Sequence, residues 1–256
     1  MPPTFRRGEP HHHHCGNNMA QKMIKAAALA GFVLAAANAF ATPITYTESG
    51  DAGDLVTGAV QTVAGAAGSQ VGAIKGTLTA NSGGIYDGDA YKIYISSPST
   101  FSATTTGFTP GINAFDSELF LFNLDGTGIA MNDDDTATGN EQSTLDAGDP
   151  LTAGLSAGYY YLLITGQGMN PTSAGGLIFP NWTDGTTDPT GVYGPNALAT
   201  AINGFAGSSN EGGAYSIALT GVSIAASGST VPEPGTLALG LLAGVALLGA
   251  LRRRPQ

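Results

Sequence analysis

Carboxylates, hydroxyls and aromatic rings are the side chains with which residues 42–231 could do chemistry. All four histidines stand at 11–14 and the single cysteine is Cys15, ahead of that body. Without them no Ser–His or Cys–His nucleophile pair can be built, and no imidazole or thiolate zinc site. Neither Lys75 nor Lys92 has a serine three residues before it, so the S-x-x-K arrangement fails. Asp125-Gly126-Thr127-Gly128 lacks the Asp-Thr/Ser-Gly order of an aspartic protease, and no Gly-rich phosphate loop occurs. Paired carboxylates remain. Asp116 and Glu118 are the best placed, two apart on one strand face, and a glycosidase needs such a pair. A solvated strand edge or a calcium ligand set accounts for them more simply. The expectation is therefore a protein that is not an enzyme, with a carboxylate-dependent secreted hydrolase of an extracellular polymer as the alternative.

The same carboxylates suit a hard cation. Asp133, Asp134 and Asp135 stand together, which like-charge repulsion makes costly unless they are solvated or countered. Asp87 and Asp89 form an Asp-x-Asp pair at the start of a strand. Calcium takes six to eight oxygens and tolerates mixed carboxylate and carbonyl ligands. No EF-hand spacing is present, so a site would be assembled from separate loops, with Asp87, Asp89, Asp116, Asp133 and Asp134 as candidate ligands. The plain alternative is that these aspartates cap turns. Calcium is the only cofactor the residues suggest. Tyr159, Tyr160, Tyr161, Trp182 and Tyr193 offer aromatic faces on which sugars stack, and Trp182 is the preferred contact candidate. Alternation along a strand sends neighbouring tyrosines of 159–161 to opposite faces, so at least one is core.

The charge of the body narrows its partners. Of 19 acidic residues only Glu9 and Glu233 lie outside 42–231, and of nine basic residues only Lys75 and Lys92 lie inside. Seventeen acids against two bases leave a formal charge of −15. Such a surface repels phosphate backbones, which argues against nucleic acid.

The elements that must position these residues are strands. Ala90–Ser96 alternates, with Tyr91, Ile93 and Ile95 on one face. Glu118–Leu124 is apolar on both faces, through Leu119 and Leu121 and through Phe120, Phe122 and Leu124, as in a strand covered on both sides. Tyr159–Thr165 and Ala214–Thr220 are further strands, with Tyr215, Ile217 and Leu219 inward. Shorter candidates are Ile74–Thr79, Thr100–Thr106, Gly128–Asn132 and Leu177–Phe179. No long amphipathic helix stands out in the body. Many short strands between turn residues predict an all-β, jelly-roll-like β-sandwich over 42–224. Residues 167–210, rich in Gly, Pro and Asn, read as a long loop excursion, and 225–231 as a small-residue linker.

Both ends read as processing segments. Gln21–Lys25 is a basic n-region, Ala26–Ala37 an apolar h-region, and Ala39-Phe40-Ala41 an A-x-A site cut after Ala41 by signal peptidase. The signal peptide is assigned to 19–41, as a helix. Residues 1–18 stand upstream of it, so their histidine run belongs to a leader that is removed. At the other end, Pro232-Glu233-Pro234 is followed by an uncharged apolar run from Thr236 to Leu251 and by Arg252, Arg253 and Arg254. That run is short for a permanent membrane span, which needs ~20 residues. The arginines fit the cytoplasmic side.

Residues 232–256 resemble the PEP-CTERM sorting signal, also labelled after the C-terminal segment of an ice-binding protein. The resemblance implies an exosortase as partner, a single hydrophobic helix held transiently in the inner membrane of a Gram-negative envelope, cutting near Pro232-Glu233-Pro234, and release or display at the cell surface or outside the cell. It also implies association with exopolysaccharide and biofilm. Ice binding itself wants a regular threonine array, and Thr104-Thr105-Thr106 alone is not one.

Five pieces of the body also resemble a family in their order: Asp87-Gly88-Asp89-Ala90-Tyr91-Lys92-Ile93, Phe115–Phe122, Asp125-Gly126, Asn132-Asp133-Asp134 and Ala157–Leu162. They are similar to the bacterial pre-peptidase C-terminal domain over about residues 85–165, with Gly213–Ile217 closing the fold. That resemblance implies a jelly-roll accessory module, some of whose relatives bind calcium or polymers. No peptidase precedes it in this chain, which favours a free-standing displayed module.

Overall fold

The computed structural model describes residues 42–105, 112–135, 141–180 and 190–226, all within one unit that begins at Thr42. The signal helix and the C-terminal hydrophobic helix lie outside these residues. Among the described residues no helix is long and apolar enough to cross a membrane.

The described chain is built of strands. They are β1 (Ile44–Thr47), β2 (Gln61–Thr62), β3 (Val71–Thr77), β4 (Asp89–Ile95), β5 (Ser102–Thr104), β6 (Ser117–Phe122) and β7 (Gly128–Asn132). After them come β8 (Thr144–Leu145), β9 (Gly158–Gly166), β10 (Asn170–Ser173), β11 (Gly176–Leu177), β12 (Ile202–Ala206), β13 (Ala214–Thr220) and β14 (Val222–Ser223). One four-residue helix, α1 (Pro150–Ala153), follows β8. One sheet has the order β1-β3-β13-β5-β8, and a second has the order β14-β4-β9-β6-β7 with β2 added beside β4. From β3 to β6 each strand joins the sheet opposite to its predecessor, as does each of β8 and β9, so most connections cross the sandwich.

Period-2 burial explains why these segments pair. Tyr91, Ile93 and Ile95 of β4, Leu119 and Leu121 of β6, and Leu162 and Ile164 of β9 meet Ile74, Ala103, Tyr215, Ile217 and Leu219 from the facing sheet in one core. The opposite face of the second sheet, through Phe120, Phe122, Met131 and Leu163, carries a second core with Ile178 and Phe179. All six residues of β6 are therefore buried; the expected Glu118–Leu124 strand starts one residue earlier and stops at Phe122, and Leu124 stands in the turn, exposed.

The cover on that second face corrects one expectation. The described residues of 167–210 are not one long loop: they contain a three-stranded antiparallel sheet, β11-β10-β12. Gly, Pro and Asn made the segment read as loop. The segment is held instead by what it covers, since Ile178, Phe179, Ile202 and Phe205 pack on the phenylalanines of β6.

Candidate functional site

The hairpin β6–β7 gathers the first acidic group. Its turn closes through the Asn123 N–H to Thr127 carbonyl bond at 2.9 Å, with Gly126 at φ 82°, a value that favours glycine. The register sets Leu119 opposite Asn132. The residues just outside this pair, Asp116 and Glu118 on one side and Asp133 and Asp134 on the other, therefore meet at the open end of the hairpin. Carboxylate oxygens of Asp116, Asp133 and Asp134 all lie within 4.8 Å of one another. Glu118 alternates with Leu119, so it points with Phe120 toward the outer layer. Its Oε2 accepts from the Thr165 hydroxyl at 3.1 Å.

Asp116 is held from two directions. Gln167 Nε2 donates to its Oδ2 at 2.6 Å, and Glu211 Oε2 accepts from its backbone N–H at 2.9 Å. Asp116 Oδ1 and both carboxylate oxygens of Asp133 are buried and meet no hydrogen-bond donor. Asp133 is 1% exposed, Asp116 6% and Glu118 0%. Burial above all, then the charges of Asp134, Glu211, Glu141 and Glu118, pushes the Asp116 carboxyl up to about 8. Burial, then Glu118, Asp116 and Asp134, pushes Asp133 up to about 9. The Asp116–Glu118 pair is thus on one strand face as expected, but inside the protein and not on a solvated edge.

A second group forms on the opposite face of the same sheet. Asp89 opens β4 with the parity of Tyr91, so it points into the sandwich. There Tyr215 Oη donates to Asp89 Oδ2 at 2.6 Å, and the Tyr91 and Tyr215 hydroxyls share a hydrogen bond. Oxygens of Glu48 and Asp51 lie within 4.8 Å of one another and of Asp89. Both Glu48 oxygens are occupied by backbone donors, Ala52 N–H at 2.7 Å and Thr77 N–H at 2.8 Å. Burial is the main cause that pushes Asp89 up to about 8; the Tyr215 hydrogen bond acts against it, and Glu48, Asp87 and Asp51 add to it. Burial, then Asp89, keeps the Tyr215 hydroxyl protonated. Asp87 flanks this group: its Oδ1 accepts from the Thr79 N–H at 2.8 Å, across the chain that joins the two residues, and its charge adds to the push on Asp89.

The five aspartates named as calcium candidates therefore divide. Asp116, Asp133 and Asp134 come together, Asp89 sits across the sheet with different partners, and Asp87 bonds across to the Thr79 N–H. Glu48, Glu211 and Tyr215 escaped the sequence reading because each joins its group from a distant segment. Parity along β4 and β6 was the available signal, since it sends Asp89 and Glu118 to opposite faces.

Of the aromatic candidates, Trp182 lies outside the described residues. Tyr160 faces the sandwich core, whereas Tyr159 and Tyr161 face the other way. Tyr159 packs edge-on against Tyr94 at 5.2 Å between centroids, and Lys92 Nζ lies 4.8 Å from its ring centre. Beside them runs a groove of about 450 Å3 lined by Leu55, Val60, Thr62, Lys92, Asp125 and Tyr161 among others.

The described fold defines an all-β protein. Residues 230–254 match the PEP-CTERM protein-sorting motif. No curated protein and no solved structure matches the chain. The motif makes this an exported protein, recognised by an exosortase and anchored or processed at the membrane. The match covers the tail and not the body.

Proposed function

We propose that the body is a non-catalytic binding or structural module, displayed at the cell surface or released outside, that contacts extracellular polymer such as the exopolysaccharide of a biofilm. The observation that carries this reading is the sorting motif at 230–254, which delivers the chain to the outer side of the membrane. The chemistry of the body supports it. The mature sequence has no histidine or cysteine to build a nucleophile–base pair. Its best carboxylate pair is buried, with Glu118 at 0% exposure, where no sugar ring can reach. The open face of β4 and β9 offers instead tyrosine rings, hydroxyls and one lysine beside a groove, which suits neutral sugars held by stacking and hydrogen bonds. The order of motifs from Asp87 to Leu162, which resembles that of the pre-peptidase C-terminal domain, points the same way. Binding of this kind is weak per site and gains strength from display of many copies.

The test is retention of the processed protein, purified from the host, on the host's own exopolysaccharide. Cosedimentation that falls when Tyr159 and Tyr161 are both changed to Ala is expected. No retention of the native protein, together with unchanged biofilm in a deletion strain, would refute the reading and reopen the hydrolase alternative.

A further inference from the structure

We propose that Asp116, Asp133 and Asp134 bind one calcium ion at the open end of the β6–β7 hairpin, with Glu118 beside it. The inference stands apart from polymer binding and rests on the geometry of the hairpin. Its register brings two short acidic segments together from either side, and the oxygens of all three aspartates fall within one 4.8 Å group, the spacing of ligands around a single hard cation. Asp133 is 1% exposed, yet neither of its carboxylate oxygens meets a donor, and Asp116 Oδ1 meets none either. Buried carboxylates are otherwise hydrogen-bonded or paired.

No side chain of the body can serve as the counter-charge. Lys75 and Lys92 are its only basic residues, and 106–111, 136–140 and 181–189 contain none. Lys92 lies over Tyr159 and pairs with Tyr161, four residues along β9 from the Thr165 that bonds Glu118. Lys75 is on the other sheet, beside Glu48 and Asp51. A divalent ion neutralises the aspartates where the protein supplies no cation. Asp134 is half-buried, which leaves a side on which water can complete a shell of six to eight oxygens. Calcium fits such a mixed, irregular shell better than magnesium, which demands a tight octahedron.

The Asp89 group differs in degree. Asp89 Oδ1 also meets no donor, but its Oδ2 accepts from Tyr215 and both oxygens of Glu48 are used by backbone N–H groups, so no buried carboxylate there has both oxygens unpartnered as Asp133 does. The Asp89 group serves as an internal control.

The experiment uses the full-length chain, stripped of metal and melted in EGTA, in about 1 mM calcium and in about 1 mM magnesium. With a dissociation constant about tenfold below the calcium used, in the range of extracellular modules, calcium raises the melting temperature by roughly 3–6 °C over EGTA. Magnesium raises it less. Equilibrium dialysis should find about one calcium per chain, as expected for a single group of ligands. Asp133→Asn and Asp116→Asn should each abolish the calcium response while melting no lower than the native chain in EGTA, because each replaces a buried carboxyl by a near-isosteric neutral amide. Asp89→Asn should keep the response. Equal melting of the native chain in calcium and EGTA would overturn the proposal. So would a response that survives in both Asp133→Asn and Asp116→Asn, or one lost only in Asp89→Asn. Should Asp133→Asn fail to fold, Asp116→Asn and the dialysis decide.

Discussion

Replacing Asp89 by Asn tests whether this fully buried carboxyl is held as a neutral acid. Asn is nearly isosteric, and its carbonyl can still accept the Tyr215 hydroxyl bond that Asp89 Oδ2 accepts at 2.6 Å. What changes is the titration. Asp89 has an ordinary value of 3.8, pushed up to about 8 in the fold, chiefly by burial. Between these values the folded protein holds a proton that the unfolded chain has released. Stability from this group is full below pH ~4 and is lost as pH rises through ~8. The slope is about 1.4 kcal/mol per pH unit for one proton. From pH 5 to 7 the native chain should lose about 2–3 kcal/mol that Asp89→Asn keeps. In a domain of this size that is about 5–10 °C of melting temperature.

Urea unfolding followed by circular dichroism at pH 5, 6 and 7, in chelator throughout, measures the two slopes. Other carboxyls with raised values, Asp116 and Asp133 among them, tilt both proteins alike, so the difference between the slopes belongs to Asp89. The two proteins should be of similar stability at pH 5 and diverge as pH rises, with Asp89→Asn the more stable. Parallel slopes would refute the neutral-acid reasoning. An Asp89→Asn protein several kcal/mol less stable at pH 7 would refute it more pointedly, because that is the signature of a carboxylate needed in its charged form.

Two further predictions concern the cover and the loop that reach the hairpin. Phe179, 3% exposed, lies 5.6 Å from the rings of both Phe120 and Phe122; Phe179→Ala should cost about 3–5 kcal/mol by urea unfolding, and a cost below about 1 kcal/mol would mean that the outer layer is only draped over the sheet. Gly166 ends β9 where an added Cβ would stand 2.1 Å from the Glu211 carbonyl oxygen and 2.4 Å from Ser209 Oγ. Gly166→Ala must push that loop away and should cost about 1–3 kcal/mol, with faster hydrogen exchange at the Asp116 N–H that Glu211 accepts; unchanged exchange would detach the 209–211 loop from the site.

The central strands were legible because each buries a face through its own alternation. β13 spans the predicted Ala214–Thr220 and β7 the predicted Gly128–Asn132, while β4 and β9 differ by a residue at their ends. β1, β2, β8 and β10 could not be read the same way. They run to two to four residues, and β10 is Asn170-Pro171-Thr172-Ser173, with no apolar period. Their pairing comes from neighbours supplied by distant chain, as when β10 lies against β12 some thirty residues later. The site shows the same division. The aspartate run at 133–135 and the Asp87–Asp89 pair are visible as composition. That Asp89 would find Tyr215, a separation of 126 residues, is a product of the strand order.

The two buried acidic groups show how a body of charge −15 can still place carboxyls inside. One group is largely held from within: a tyrosine hydroxyl donates to Asp89 Oδ2, backbone N–H groups hold Glu48, and only Asp89 Oδ1 meets no donor, so that a proton can remove the remaining charge. The other has too few internal donors, and Asp133 carries the deficit. A proton or a dication can each relieve it, but they differ in where they are available. Protons are equally available at neutral pH outside the cell and inside. Calcium is abundant outside, at levels that match the dissociation constants of about 10⁻⁴–10⁻³ M typical of extracellular modules. The sorting motif takes this chain to that side. Filling the hairpin site would then add stability only after export, and would leave the chain less stable, and easier to keep unfolded, before it crosses the membrane.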